Sequence, residues 1–416
     1  MAILKAFRGF RPRKELAARI ASRPYDVLNS EEARREVEGN PYSFLHVVKP
    51  EVDLPRDTDI YSDIVYQTGK SNLEKMISEG ILLPDEGAYL YVYAQTMNGK
   101  TQYGLLGCAS IEDYQNHVIK KHELTRPDKE EDRKRHVRTS NFHAEPVFFA
   151  YPAHAEIDTI VGDVARQVPE YDFVATDGIG HRLWVIREPE LISRLETLFA
   201  ADIPFTYVAD GHHRTAAAAG VGAEMARANP AHTGEEEYNF FLAVHFPADQ
   251  LTIIDYNRVV KDLNGMSDEE FLDKLMAAFE IEKKGKAIHK PDALHNFGLY
   301  LSGSWYSLTA REGTYNDSEP IGQLDVTVLS EHVLIPFLDI TDLRKSKRID
   351  FVGGIRGLKE LERRVDSGEM KAAFALYPVS MEQLMEIADT DNIMPPKTTW
   401  FEPKLRSGLV IHKLED

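Results

Sequence analysis

The stretch PFTYVADGHHRTAAAAG, from Pro204 to Gly220, restricts the fold more than any other part of the chain. Phe205 to Ala209 reads as a short apolar strand, Gly211 lies in a bend, and an Ala-rich helix is expected from about His213. A strand that turns into a helix brings unpaired backbone N–H groups, with roughly half a positive charge, to the bend. Gly211 lets the backbone approach a ligand closely, and Arg214 offers a planar fork suited to phosphate oxygens. Ala216 to Ala219 let the helix sit close on the layer beneath it. In the plainer alternative Asp210 caps the helix and the histidines form a solvated turn. Imidazole, imidazole and guanidinium in succession at such a bend favour a site built from Asp210, Gly211, His212, His213 and Arg214.

The 416 residues suffice for two or three domains. A formal charge of −18 argues against a general nucleic-acid or anionic-membrane binder, although local basic patches can still hold phosphate. The single cysteine, Cys108, excludes intrachain disulfides and a Cys-rich metal centre, and fits a reducing cytoplasm. No apolar run approaches ~18 residues, so no membrane span is expected. The opening MAILKAFRGFRP is too short and too quickly charged for a secretory signal.

Along the chain, Ile3–Phe7 and Ser43–Val48 read as strands, and Tyr61–Ile81 as a long amphipathic helix. Tyr89–Ala109 reads as a hairpin turning at Asn98-Gly99, and Tyr171–Ile186 as a second one turning at Asp177-Gly178. Between them lies the most charged stretch, KKHELTRPDKEEDRKRHVRTSNFHAEP, which suits either a solvated, ion-paired helix or a polyphosphate site. Its candidates are His122, Glu123, Arg126, Lys129, Arg133 and Arg135. His181, beside Leu183-Trp184-Val185, is a candidate substrate contact, set against the commoner role of a satisfied structural histidine. Strand, helix and strand over Phe205–Phe246 make a possible βαβ unit. Leu251–Val260 reads as one strand, and a helix is expected over Val326–Leu338. VFFAYPAHAE and AFALYPVSME echo each other, each a strand ending in Tyr-Pro before a helix. The final stretch, Ile393 to Ile411, is Pro-punctuated, and its Lys397 and Lys404 suit an anion. The expected organisation is a core α/β domain over 1–261, a smaller C-terminal α/β domain over 262–392, and a segment over 393–416 that returns to the core.

Six phrases in order, PYDVLNSEEAR, NPYSFLHVVKPE, HELTRPDKEEDR, DGIGHRLWVI, VADGHHRTAAA and MPPKTTWFEPKLRSGLV, resemble the domain-of-unknown-function family 1015 of bacterial and archaeal proteins. Over about twenty residues, ADGHHR is also similar to the phosphate-binding loop of the ParB/sulfiredoxin-like superfamily, particularly its free serine kinases. That resemblance implies an α+β fold with a ParB/sulfiredoxin-like nucleotide-binding core and added β-hairpins. It also implies that Asp210, Gly211, His212, His213 and Arg214 bind and orient nucleotide phosphates. No phrase here matches the kinases' separate catalytic carboxylate, so Glu123 enters on its chemistry alone.

The leading expectation is a small-molecule phosphotransferase using ATP or ADP with Mg²⁺, and free serine as acceptor follows from the resemblance only. Asp210, His212 and Glu123 would be its catalytic groups, and Gly211, His213, Arg214, Arg126, Lys129, Arg133, Lys397 and Lys404 its phosphate ligands. The alternative is a non-catalytic nucleotide-binding or ParB-like regulator. Metal-dependent hydrolysis through His212 and His213 ranks last, because adjacent helical side chains diverge by about 100°; no protein-held metal site is expected.

Overall fold

The computed structural model describes residues 1–415 and falls into two units. Unit 1 consists of Met1–Lys120, Thr125–Leu251 and Pro403–Asp416, and unit 2 of Lys121–Leu124 and Thr252–Glu402.

Unit 1 is built on a nine-stranded sheet. Its strands are β1 (Leu4–Lys5), β2 (Leu90–Met97), β3 (Lys100–Ser110), β4 (Ile119–Lys120), β5 (Val147–Tyr151), β6 (Tyr171–Val174), β7 (Gly180–Ile186), β8 (Thr206–Asp210) and β9 (Phe240–Pro247). They run in the order β4-β8-β5-β9-β3-β2-β7-β6, with β1 paired along β3. Only β4–β8 and β5–β9 pair in parallel. The expected turn joins β2 to β3, with Asn98 at φ 51° and Gly99 at φ 79°, the positive angles of a mirror-image hairpin turn. The second hairpin pairs Val174 with Gly180 around Gly178 at φ 82°.

The βαβ expectation does not hold. All five residues of β5, Val-Phe-Phe-Ala-Tyr, are buried, and this strand takes the position between β8 and β9. β5 runs antiparallel to β8 and parallel to β9, so the helix between β8 and β9 connects two antiparallel, non-adjacent strands. Ser43–Val48 is not a strand either. Phe44, Leu45, Val47 and Val48 are all buried, with a short helix over Leu45–Val48; a short, mostly buried apolar run has too little periodicity to separate the two forms.

The helices of unit 1 that matter below are α1 (Asp63–Ser78), α2 (Pro127–Ser140), α3 (Ala155–Ala165), α4 (Pro189–Asp202) and α5 (His212–Ala228). α3 and α4 pack Ile157, Val161, Leu195 and Phe199 against Leu90, Val92 and Trp184 of the sheet. α5 packs Ala218 and Ala219 against Phe149, Val208 and Phe241.

Unit 2 carries a six-stranded antiparallel sheet. Its strands are β10 (Tyr256–Val260), β11 (Phe279–Gly285), β12 (Asn296–Leu301), β13 (Ser304–Ala310), β14 (Ile349–Gly353) and β15 (Ala372–Leu376), in the order β11-β13-β12-β15-β10-β14. The strand expected over Leu251–Val260 is interrupted, a separate pair Ile253–Ile254 bonding to Trp400–Phe401. The helix expected from Val326 runs over Asp325–Leu329 and then widens into a π turn at Ser330–Leu334. Each Tyr-Pro phrase does follow a strand and lead into a helix, the first capped by His154, the second by Ser380. The whole is a mixed α+β fold. No helix of the described residues is long and apolar enough to cross a membrane.

Candidate anion site at two helix N-termini

β8 ends at Asp210, and Gly211 follows in the left-handed region at φ 96° as the N-cap of α5. A Cβ at Gly211 would lie 3.1 Å from the Arg214 guanidinium, so the positive φ and the tight space both favour glycine. Among the described residues no side chain caps α5. The Thr215 N–H and hydroxyl both donate to the Gly211 carbonyl, at 2.9 and 3.0 Å.

α2 begins at the same place. The Arg126 backbone N–H donates to His213 Nε2 at 3.0 Å. Further along, Lys134 covers Gly220, where a Cβ would come within 2.3 Å of the lysine Cε. One turn later Arg138 Nε lies 2.8 Å from Glu224 Oε2. Residue numbers rise together along both helices, so α2 and α5 run parallel with their N-termini side by side. α2 also has Pro127 at its first turn and no side-chain cap among the described residues. Two macrodipoles ending together place roughly one elementary positive charge there. Asp128 and Glu130 offset part of this in α2, while the first turn of α5 contains no acid.

Asp210 sits between two cations. Its Oδ1 is 3.5 Å from Lys404 Nζ and its Oδ2 is 3.2 Å from Arg214 Nη2. Burial pushes the carboxyl up, but Lys404, Arg214 and then His212 more than offset this and hold it down to about 2. Asp210 is therefore a fixed negative charge and a weak proton acceptor. Lys404 is anchored through its carbonyl, which accepts from Gln95 Nε2 at 2.8 Å.

Arg214 faces inward. It is 7% exposed, and its Nη1 donates to the Pro146 carbonyl at 2.5 Å while Nη2 takes Asp210. The fork expected for phosphate is thus engaged with the protein. Arg133 is buried as well, bonded to Asp132 at 2.8 Å, stacked 3.8 Å over the Tyr25 ring and 3.7 Å from Glu145. The Arg126 side chain pairs with Asp128 at 2.8 Å and stays exposed. Lys129 Nζ donates to the Tyr61 hydroxyl at 2.6 Å. His212 is buried in the first turn of α5, and His213 is partly exposed.

His181 lies elsewhere in unit 1, fully buried. Its Nδ1 is 2.8 Å from the Tyr93 hydroxyl and its Nε2 accepts from Arg406 Nε at 3.1 Å. Burial and then the Arg406 charge drive it down to about 3, so it is neutral, with both ring nitrogens taken. A substrate could reach it only by displacing Arg406 or Tyr93. Glu123 and Lys397 belong to unit 2. There His122, next to Glu123, has Nε2 3.3 Å from the Thr399 hydroxyl, and Lys397 Nζ stands 5.9 Å over the Tyr256 ring.

Tyr25, Asp26 and Glu145 escaped the sequence reading. The Tyr25 N–H and the Ser407 hydroxyl donate to Glu145 Oε1 at 3.0 and 3.1 Å. Asp26 is the foremost charge holding Arg214 protonated. The available signal was position: Tyr25 and Asp26 lie in the phrase PYDVLNSEEAR, and Glu145 precedes Pro146 at the start of β5.

The chain is similar to several solved structures across most of its length. A conserved hypothetical protein from Pyrococcus furiosus matches at 15% identity and a TM-score of 0.35, over 73% of this chain and 93% of that one. A free serine kinase in complex with AMP matches at 14% identity and a TM-score of 0.36, over 74% and 91%. SbnI with a C-terminal truncation, from Staphylococcus aureus, matches at 10% identity and a TM-score of 0.33, over 73% and 85%. No curated protein matches the chain. The family model described as "Protein of unknown function (DUF1015)" matches residues 4–327, and the chain belongs to that family.

Proposed function

We propose that unit 1 binds nucleotide phosphates at the paired N-termini of α2 and α5, and that the protein is a small-molecule phosphotransferase with ATP or ADP as donor. The observation carrying this reading is the parallel start of the two helices at Arg126 and His213, without a side-chain cap on either among the described residues. Phosphoryl transfer asks chiefly for positioning and charge neutralisation. Gly211 turns the chain into α5 at a positive φ, and Lys404 and Arg126 can exchange their carboxylate partners for phosphate oxygens. Arg214 acts from behind, holding Asp210 and the bend in place. Mg²⁺ carried with the nucleotide would supply further positive charge; Asp210, with each oxygen facing a cation, is a poor ligand for it.

The large sheet with its α5 bend reads as a ParB/sulfiredoxin-like core, and serine as the acceptor, on the ADGHHR resemblance alone. A cytoplasmic setting fits the free, buried thiol of Cys108. A second reading, a nucleotide-binding regulator without catalysis, is favoured by Asp210, which is too acidic for a general base. Incubation with labelled ATP or ADP, Mg²⁺ and a panel of small hydroxy compounds headed by serine separates the two. Labelled product that disappears in Lys404→Met supports the phosphotransferase; binding without transfer to any acceptor supports the regulator.

A further inference from the structure

Beside Arg214, unit 1 forms a cavity with about 30 Å³ open to the centre of a water molecule; Arg133, His136, His143, Glu145 and Arg214 are its polar lining residues. Three buried atoms on these lining residues, Arg133 Nη1, Arg214 Nε and His143 Nε2, have no hydrogen-bond partner among the described residues, although Arg133 Nη1 is ion-paired with Glu145 Oε2 at 3.7 Å. Their side chains are buried, none more than 8% exposed.

The protonation of His143 follows from its neighbours. Glu237 is partly exposed, and its Oε2 lies 2.8 Å from His412 Nε2. Burial raises its carboxyl, but His412 and Lys5 outweigh that and keep it ionised. The carboxylate accepts, so the His412 proton is on Nε2. Burial keeps His412 neutral, so its Nδ1 is bare and accepts from His143 Nδ1 at 3.2 Å. Burial and then His412 also keep His143 neutral, which leaves a lone pair on its Nε2 at the cavity wall. The residues lining the cavity thus carry two N–H donors without a hydrogen bond, one of them 3.7 Å from Glu145, and one nitrogen acceptor without a donor. A small anion would satisfy the arginines and meet the lone pair badly. Water accepts from the first and donates to the second. At ~10–15 Å³ per molecule by this measure, there is room for about two.

We infer that this cavity holds bound water, and that Glu237, His412, His143 and the water form a one-proton relay between solvent and Glu145. In the outward direction the Glu145 carboxylic acid gives a proton to water, and water passes one to His143 Nε2. The His143 Nδ1 proton moves to His412 Nδ1, and the His412 Nε2 proton moves to Glu237, which releases it to solvent. Glu145 ends as a carboxylate, solvent gains the proton, and both imidazoles finish in the opposite tautomer, set for the return. Glu145 lines the same cavity as His143, and burial pushes its carboxyl up, opposed by Arg214 and Arg133. The other charges around it are Asp132 on Arg133, Asp210 on Arg214, and Asp26; the Tyr25 N–H and Ser407 hydroxyl bond to it. His136 in the wall is neutral, bonded to the Val47 carbonyl. At the outer end Lys5 lies 3.3 Å from Glu237. The inference does not depend on the nucleotide reading.

Nitrogen NMR on the full chain labelled with ¹⁵N-histidine tests it. The relay predicts His143 as the Nδ1–H tautomer and His412 as Nε2–H. It also predicts that the buried His143 Nδ1–H exchanges with solvent faster than the main-chain N–H groups of β5 and β9. Glu237→Gln keeps an acceptor oxygen but takes up no proton, and should slow that exchange at least tenfold with the melting temperature unchanged. His143 found as Nε2–H in the wild-type protein, which needs no variant, would overturn the inference. So would an exchange rate equal in wild type and Glu237→Gln.

Discussion

Arg214→Lys separates a brace from a ligand grip. The substitution keeps the charge and removes the fork, so one ammonium replaces a guanidinium that reaches both the Pro146 carbonyl and Asp210. Lysine can serve one of these partners. The loss is one hydrogen bond involving a charged group, roughly 1.5–3 kcal/mol, and the abandoned partner adds part of its desolvation penalty. We expect a total of about 2–4 kcal/mol. For a unit of this size, about 2–4 °C of melting temperature per kcal/mol converts this to a fall of roughly 5–15 °C, read by calorimetry on the ligand-free chain. Titration with ATP should show affinity within about threefold of wild type for protein that remains folded. An unchanged melting temperature with ATP binding weakened tenfold or more would return the guanidinium to the ligand.

Gly211→Ala should destabilise unit 1 by about 1–3 kcal/mol, since alanine meets both the positive φ and the Arg214 guanidinium at 3.1 Å; a denaturant midpoint equal to wild type would contradict this. Acid should weaken the fold before carboxylates titrate. Buried His136 and His245 are held down to about 4 and His181 to about 3, all by burial first. Unfolded imidazoles take up protons near 6.5, so this stability is complete above that pH and is lost as pH falls toward 4 and 3. Each histidine accounts for about 2 kcal/mol of loss at pH 5, measured as urea midpoints at pH 8 and pH 5. Asp325 in unit 2 acts with the opposite sign. Burial raises its carboxyl to about 7, against the hydrogen bond from the His295 N–H, so stability declines as pH rises from 4 to 7. Asp325→Asn should therefore stabilise unit 2 by about 1–3 kcal/mol at pH 8, and not at pH 4, once the cost of an unpaired amide N–H is subtracted.

Local chemistry made part of this fold legible. Asn98-Gly99 announced a turn with two positive φ angles, and the change from apolar alternation to Ala-rich spacing at Gly211 marked a strand meeting a helix. Long-range packing hid the rest. Nothing local says that β5 separates β8 from β9, because an entirely apolar strand fits any central position. The charged run over Pro127–Ser140 reads as solvated, yet Asp132, Arg133 and His136 are buried along it. Its parallel alignment with α5 depends on contacts such as Lys134 over Gly220, between residues far apart in the chain. The direction of Arg214 was illegible for the same reason: its partner is the carbonyl of Pro146, a main-chain atom that leaves no trace in residue type. Composition placed the compact break near 261 and the returning segment from 393, whereas the units divide at Leu251 and Pro403.

The shared N-termini of α2 and α5 are proposed to hold the phosphates of a nucleotide. Isothermal titration of the full chain with ATP and with ADP, each with and without Mg²⁺, at ~50 and ~200 mM salt, tests this most directly. Saturable binding of at least one nucleotide should appear and weaken with salt, because charges at an open helix terminus are screened over ~8–10 Å. Lys404→Met should lose about tenfold in affinity. No heat from either nucleotide under any of these conditions, with the chain folded, would contradict the proposal.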